Sequence, residues 1–546
     1  MRIFLLYLLL TAMPLSAQNF NVHLVYLHNK DQSQYSVFRP QEFLSPRAVE
    51  RKSRQGIKID ESDLPLNSNY INQINQTGAE IILHSKWLNA VSVYVSDSSI
   101  LKKIKNLPFV KESKAIGFKK NKSETKLAEH FPFQEYKKEE TIFGATLNQI
   151  AMLGGHLMQQ MQFEGNGIQV AIFDGGFSSV YRMPAFDSLF AQNRILGTRD
   201  FVEGDEFVYE SSTHGTNVLS CMAANLPYQV MGTAPKASYY LFKTEDVGSE
   251  YYIEELNWVV AAEYADSLGV DVINSSLGYT SFNDPKMNYK YSDMNGKNSI
   301  CSPMASLAVQ KGMLVVNSAG NEGDGAWHYI GVPADAEHVI SVGATKPDGS
   351  RVGFSSCGPT YDQRVKPTVS AQGNRVVVAA SKGYGYQLTD GTSFSSPILA
   401  GMVASLWSAF PEKSNWEIKD AMEASANQTN RPDSLLGYGI PDFFVSYLYL
   451  KDGGVAISEK GQVFDRYQFI DEYFDVIVEL GLKENQFNSQ ITQITGELVI
   501  QKNMLVKDKF ITRLLYDEVK SLPNGSYLLT LQNESYIFRI PFHVYH

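Results

Sequence analysis

The chain has 546 residues, with 48 Lys+Arg against 58 Asp+Glu, a formal net charge of −10 and a pI near 5.6. Hydrophobic residues make up 44% and charged ones 19%, which excludes wholesale disorder and provides for packed cores in several domains. The acidic balance excludes a nucleic-acid partner, which needs a basic patch. The charge is unevenly spread: residues 18–120 hold 15 Lys+Arg and 9 Asp+Glu, a net of +6, and residues 121–546 carry −17.

At the start of the chain, Met1-Arg2 precedes the apolar run Ile3–Leu10 and the small-residue exit Leu15-Ser16-Ala17. This pattern predicts a secretory signal peptide over 1–17 and a protein that works outside the cytoplasm, secreted or at the cell surface. The run falls short of the roughly 20 apolar residues that a membrane span needs. Next, Phe20, Val22, Leu24 and Tyr26 alternate as in a half-buried strand, and Tyr70, Ile71 and Ile74 take helical spacing. Ile81–Leu83 is a short apolar run, Val91, Val93 and Val95 alternate, Ile100, Leu101, Ile104 and Leu107 are helically spaced, and Phe109-Val110 opens an extended piece. That order predicts an α+β unit over 18–120 with β-α-β-β-α-β, or ferredoxin-like, topology. Lys- and Glu-rich residues follow, predicting an exposed connector over 121–145.

From about 165 to 450, short apolar runs such as Ile168–Phe173, Val270–Ile273 and Met313–Val316 alternate with helical patterns. Continuous apolar strands separated by helices predict an α/β domain over 146–450, its parallel sheet sandwiched by helices. Beyond Gly453 come strands without long helices: Asp475–Leu480, Ile491–Ile500, Phe510–Leu515 and Tyr527–Leu531, with a turn at Pro523-Asn524-Gly525. These predict a small β-sandwich over 455–546. Three cysteines in such a chain exclude a disulfide scaffold. Cys221 reads as a buried apolar filler, and a Cys301–Cys357 bridge stays open.

Three segments place a polar residue where a predicted strand ends or a helix begins, and a fourth places one in a turn. Asp174 closes Val170–Phe173 ahead of Gly175-Gly176; alone, this is more often a turn. His214, in Thr213-His214-Gly215-Thr216, opens a small-residue helix. Asn321 stands in a turn after the strand ending Val316-Asn317-Ser318, with an amide donor to offer. Ser393 lies in Gly391-Thr392-Ser393 at the start of a helix whose Ile398, Met402, Val403, Leu406, Trp407 and Phe410 share a face, with Pro397 placed in its first turn. A helix N-terminus favours developing negative charge and suits a nucleophile, as it also suits an ordinary capping serine.

Together these segments resemble the subtilisin-like serine protease (subtilase) family, whose triad runs Asp…His…Ser. Gly232–Ala237 resembles the family's Gly-x-Ala-Pro-x-Ala, and Asp271–Gly278 resembles its substrate-binding strand. The resemblance covers about 165–450. It implies a secreted endopeptidase acting on peptide or protein substrates, with Ser393 as nucleophile, His214 as general base and acid, and Asp174 holding the imidazole. It also implies Asn321 as oxyanion donor and Ser276, Leu277 and Gly278 as the lining of the substrate pocket. No cofactor is required and no metal is assigned; structural calcium is known in the family, and the acidic loop Glu203–Glu206 offers carboxylates for one. Five residues depart from the family pattern: Gly175 replaces Ser or Thr, Asn217 a second His, Phe394 a Met, and Ser395-Ser396 two alanines.

Residues 20–116 resemble the family's propeptide, implying a self-processing zymogen whose own N-terminal segment is its inhibitor and folding chaperone. The +6 charge of that segment favours docking on the acidic remainder. The tail resembles the C-terminal sorting domain of type IX (Por) secretion through Ile494–Val499 and Leu522–Leu529, implying secretion machinery as a partner. It lacks the usual Pro-Asn-Pro and terminal basic residues. Neither His-Glu-x-x-His nor Gly-x-Ser-x-Gly occurs, which excludes the zincin and α/β-hydrolase signatures. The competing reading is a catalytically weakened subtilase-like protein that binds peptides without cutting them.

Overall fold

The computed structural model describes residues 20–118, 141–380, 385–451, 461–463, 478–480, 484–507, 522–523, 525–532 and 537–544. The signal peptide, most of the connector and the strand expected over Phe510–Leu515 lie outside these residues. Two compact units emerge: one built from 1–34 and 64–123, the other from 35–63 and 124–546.

In the first unit four strands pair in the order Glu80–Ser85, Ala90–Tyr94, Val22–Leu27, Val110–Gly117, all antiparallel. The helices Ser68–Gln76 and Ser98–Lys105 are capped by the Asn67 and Asp97 carboxamide and carboxylate oxygens. Val25, Val91 and Val93 point into a core with Ile74, Ile104 and Phe109 because strand period and helix period bring these side chains to one layer. This is the ferredoxin-like topology expected of the segment. The segment does not fold as one piece, however: residues 35–63, including the helix Pro46–Arg54, belong to the second unit.

The second unit centres on seven parallel strands in the order Val369–Gln372, Ile340–Thr345, Leu314–Ser318, Val272–Ser275, Gln169–Asp174, Ser238–Lys243, Ile195–Asp200. The central strands are buried almost throughout, as their unbroken apolar runs require. The helix Thr392–Ala409 is buried along nearly its whole length instead of on one face, because it threads the domain core and touches apolar neighbours all round. Cys221, Cys301 and Cys357 are all free and buried. No helix among the described residues is long and apolar enough to cross a membrane.

In the tail, Glu484–Gln493, Leu498–Lys507, Gly525–Gln532 and Ile537–Val544 make a four-stranded antiparallel sheet, beside a separate pairing of Gly461–Val463 with Val478–Leu480. The run Ile491–Ile500, expected as one strand, is a hairpin, turned at Gly496 with φ +99°. Alternation on both sides of the turn masked the break, and glycine alone tolerates that backbone region readily. Two facing sheets, as a sandwich requires, are not seen among the described residues.

Candidate active site

Three loops at the carboxyl ends of neighbouring strands, and the starts of two helices, bring the polar residues together. Asp174 ends its strand and is 1% exposed. Its two carboxylate oxygens lie 2.8 and 3.0 Å from His214 Nδ1, and Oδ1 also accepts the Gly175 backbone N–H at 2.8 Å. His214 is the first residue of the helix His214–Ala223, whose first N–H donates to the Ser212 hydroxyl at 3.0 Å. Gly215 permits this closeness: a Cβ there would stand 2.4 Å from the Gly176 carbonyl and 2.9 Å from Asp174 Cβ. Desolvation pulls the His214 pKa down, but the Asp174 charge and hydrogen bond outweigh it and leave the imidazole above its ordinary value.

The departure at Gly175 acquires a reason. A Cβ at this residue would meet Val247 Cγ1 at 2.7 Å; the backbone N–H that bonds Asp174 Oδ1 would be present whichever of glycine, serine or threonine stood here. Phe394 is buried, its ring centroid 5.6 Å from that of His214, so the residue after Ser393 walls one side of the imidazole.

Ser393 is the second residue of its helix and half-exposed in an otherwise buried turn. Pro397 is not in the first turn as expected; it sits one turn further in, where it lacks the N–H that would bond the Ser393 carbonyl. That carbonyl accepts instead from Ser276 Oγ at 2.8 Å. The Ser276 hydroxyl is in turn reached by Asn274 Nδ2 at 3.2 Å, and Asn274 Oδ1 accepts from Ser396 Oγ at 2.9 Å. The replacement of alanine by Ser396 thus completes a buried chain from strand to helix. Ser393 Oγ itself points to the Ser276 carbonyl at 3.4 Å. No Ser393–His214 hydrogen bond is formed among the described residues.

Asn321 Oδ1 accepts from both the backbone N–H and the hydroxyl of Thr392, at 2.9 and 3.0 Å. The carbonyl end of the amide is therefore fixed, and its NH2 remains as a donor beside the start of the helix. Thr392, Asn274 and Ser396 lie inside the quoted motifs but were given no role there, because only the fold shows what each hydroxyl or amide holds. Ser276, Leu277 and Gly278 continue the strand Val272–Ser275 and line a cavity of about 450 Å³ together with Glu245, Glu250 and Glu254. Asn317 Nδ2 fixes the Leu277 carbonyl at 2.9 Å.

Ahead of the loop Glu203–Glu206, the Val202 and Glu203 N–H groups donate to Asp200 Oδ1 at 2.7 and 2.9 Å. Among the described residues, Glu245, Glu250 and Glu254 do converge, with oxygens within 4.8 Å of one another. Glu254 already accepts from the Asp246 and Tyr251 N–H groups, and Glu245 from the hydroxyls of Thr244 and Tyr279, so local structure accounts for two of the three. Burial, helped by the charges of Glu255 and Asp246, pushes Glu250 up to about 7, and burial, helped by the charge of Glu250, pushes Glu245 up to about 8.

The model of the subtilase family matches residues 165–439, and that of the peptidase S8 propeptide domain of Bacteroidota matches residues 22–130. Over 282 residues the chain is 30% identical to subtilisin E of Bacillus subtilis (strain 168), covering 51% of this chain and 65% of that protein, just under two thirds of its length. It is 30% identical to the subtilisin of Bacillus pumilus over 51% of this chain and 90% of that protein. Among solved structures it is similar to the prenylagaramide maturation protease PagA, with 23% identity and a TM-score of 0.43, covering 54% of this chain and 98% of that one.

Proposed function

This chain belongs to the subtilase family, and from that premise we propose that it is a serine endopeptidase made as a self-processing zymogen. The observation that carries the reading is the Asp174–His214 pair at 2.8 Å, set at the mouth of the parallel sheet beside the helix that presents Ser393. A rotation of Ser393 about χ1 takes Oγ from the Ser276 carbonyl toward His214; such bonds commonly tighten only when substrate is present. Ser393 then attacks the peptide carbonyl while His214 takes its proton. The tetrahedral oxyanion receives hydrogen bonds from the Asn321 amide and the Ser393 backbone N–H. His214 returns the proton to the leaving amine, and water releases the acyl group by the same steps in reverse order. Asp174 keeps the imidazole in one tautomer and balances its charge. The chemistry uses no cofactor. An extended substrate pairs with Ser276–Gly278 through its backbone.

In this reading the N-terminal region guides folding and inhibits, a signal peptide directs export, and the tail is read by type IX secretion machinery. A catalytically weakened peptide-binding protein is the second reading, favoured by Ser393 Oγ standing toward Ser276 instead of His214. Labelling with a serine-directed phosphonate separates the two. The expected outcome is one adduct, at Ser393, absent from Ser393→Ala; equal labelling of both chains, or of neither, selects the binding protein.

A further inference from the structure

Residues 35–63 are spliced between two strands of the inhibitor-like unit yet fold with the catalytic one. Their helix Pro46–Arg54 seats on the end of the helix Tyr252–Leu268 and the strand that follows it. Ser45 Oγ donates to the Leu268 carbonyl at 2.9 Å, Arg47 Nε to the Gly269 carbonyl at 3.1 Å, and Arg51 to the Val270 carbonyl. These donors occupy the unpaired carbonyls of a helix C-terminus, where cations are also favoured by the dipole. Two fully buried cations complete the contact: Arg51 meets Asp266 at 2.5 Å, and Lys52 meets Asp266 at 2.9 Å and Asp63 at 3.2 Å, all at 0–1% exposure. Gln55 bridges the Gly312 carbonyl, at 2.9 Å, and the Asn415 N–H, at 3.1 Å. Gly269, at φ +85°, leaves 2.7 Å between a hypothetical Cβ and the Ala48 nitrogen, so the catalytic unit is shaped around this segment.

We propose that a peptide carrying residues 46–57 stays bound in the active enzyme as a permanent structural part, and that activation sheds the four-stranded inhibitor around it. The inference rests on the zymogen reading above. Exposed residues precede the peptide at His28-Asn29 and Asp31-Gln32, and the second cut falls beyond Asp63, whose carboxylate Lys52 and Lys311 hold at 3.2 and 2.9 Å. At each cut, water adds across one amide, leaving a carboxylate and an amine. Buried pairs are little screened by salt, so the peptide is held against dissociation in concentrated salt while exposed contacts weaken.

Two parallel preparations test this. The wild-type chain is activated until peptidase activity is maximal; the Ser393→Ala chain is nicked by an external broad-specificity protease. Each is passed through gel filtration in 1 M salt and then denatured for mass spectrometry. The expected result is a peptide spanning 46–57 in equimolar amount with the catalytic domain in both. A folded catalytic domain without that peptide, in either preparation, overturns the proposal. If the wild type does not cut itself while nicked Ser393→Ala retains the peptide, self-processing fails and the anchoring stands. In the nicked background, Lys52→Met is expected to lose the peptide roughly a hundredfold faster, and unchanged loss overturns the role of the buried pairs. Should Lys52→Met not fold, Arg47→Ala weakens the half-exposed Arg47–Asp271 pair and is expected to speed loss about tenfold.

Discussion

At the level of single residues, the Asp174–His214 pair makes the sharpest forecasts. Activity needs a neutral imidazole, so kcat/KM rises with pH through the His214 pKa, which stands above the ordinary value. Asp174→Asn removes the charge that holds it there. The acid limb of the pH profile is therefore expected to move to lower pH while turnover falls by roughly 10⁴-fold, checked by pH–rate profiles of both chains. Asn321→Ala removes one oxyanion donor, and a loss of about 10²–10³ in kcat with KM nearly unchanged is expected, a range established on subtilisin itself. Asp174, His214, Asn321 and Ser393 were singled out in the sequence by motifs standing in the order of the subtilase family, since each alone reads as a turn, a structural histidine or a capping serine. Thr392 and Asn274 were not, since a hydroxyl and an amide amid ordinary strand and helix residues carry no mark of their partners.

For the elements, the helix Thr392–Ala409 shows how one backbone defect is used. Pro397 frees the Ser393 carbonyl, and Ser276 Oγ takes it. Ser276→Ala is expected to leave that carbonyl unpaired and to destabilise the catalytic unit by about 1–3 kcal/mol in denaturant unfolding. Pro397→Ala in the same chain restores an N–H for the helix, so the double substitution is expected to recover part of the loss, a coupling that a double-mutant cycle measures. Gly215→Ala tests the seating of the other catalytic helix. Its new Cβ would stand 2.4 Å from the Gly176 carbonyl, displacing His214 from Asp174, and kcat is expected to fall about 10²-fold with the fold intact by circular dichroism. The parallel sheet was read from its apolar runs, and the three quoted runs fall in its central strands Gln169–Asp174, Val272–Ser275 and Leu314–Ser318. Pro397 was placed one turn too early, because the helix begins at Thr392 and its start is decided by Gly391 at φ +147° and by the contacts of Asn321, not by a local capping pattern.

For the whole molecule, the uneven charge takes on a location. The basic surplus of the leading segment is not only a diffuse field: Arg47, Arg51 and Lys52 meet Asp266 and Asp271 in the second unit. Asp266→Ala removes the carboxylate that Arg51 and Lys52 share, leaving Lys52 only Asp63, and is expected to destabilise the catalytic unit by about 3–5 kcal/mol, read from chemical denaturation of the Ser393→Ala chain. Composition alone pointed to several packed domains and an acidic whole; periodicity indicated a ferredoxin-like unit ahead of a parallel α/β domain, and motif order indicated the subtilase family. Those features depend on local periods and on residues close in sequence, which the chain displays directly. The tertiary structure decided what depends on residues far apart: that 35–63 folds with the catalytic unit, that Ser276 completes the helix of the nucleophile, and that Val247 fills the space beside Gly175. Each is a contact between segments separated by tens to hundreds of residues, where shape and hydrogen-bond partners arise only once the chain has closed on itself.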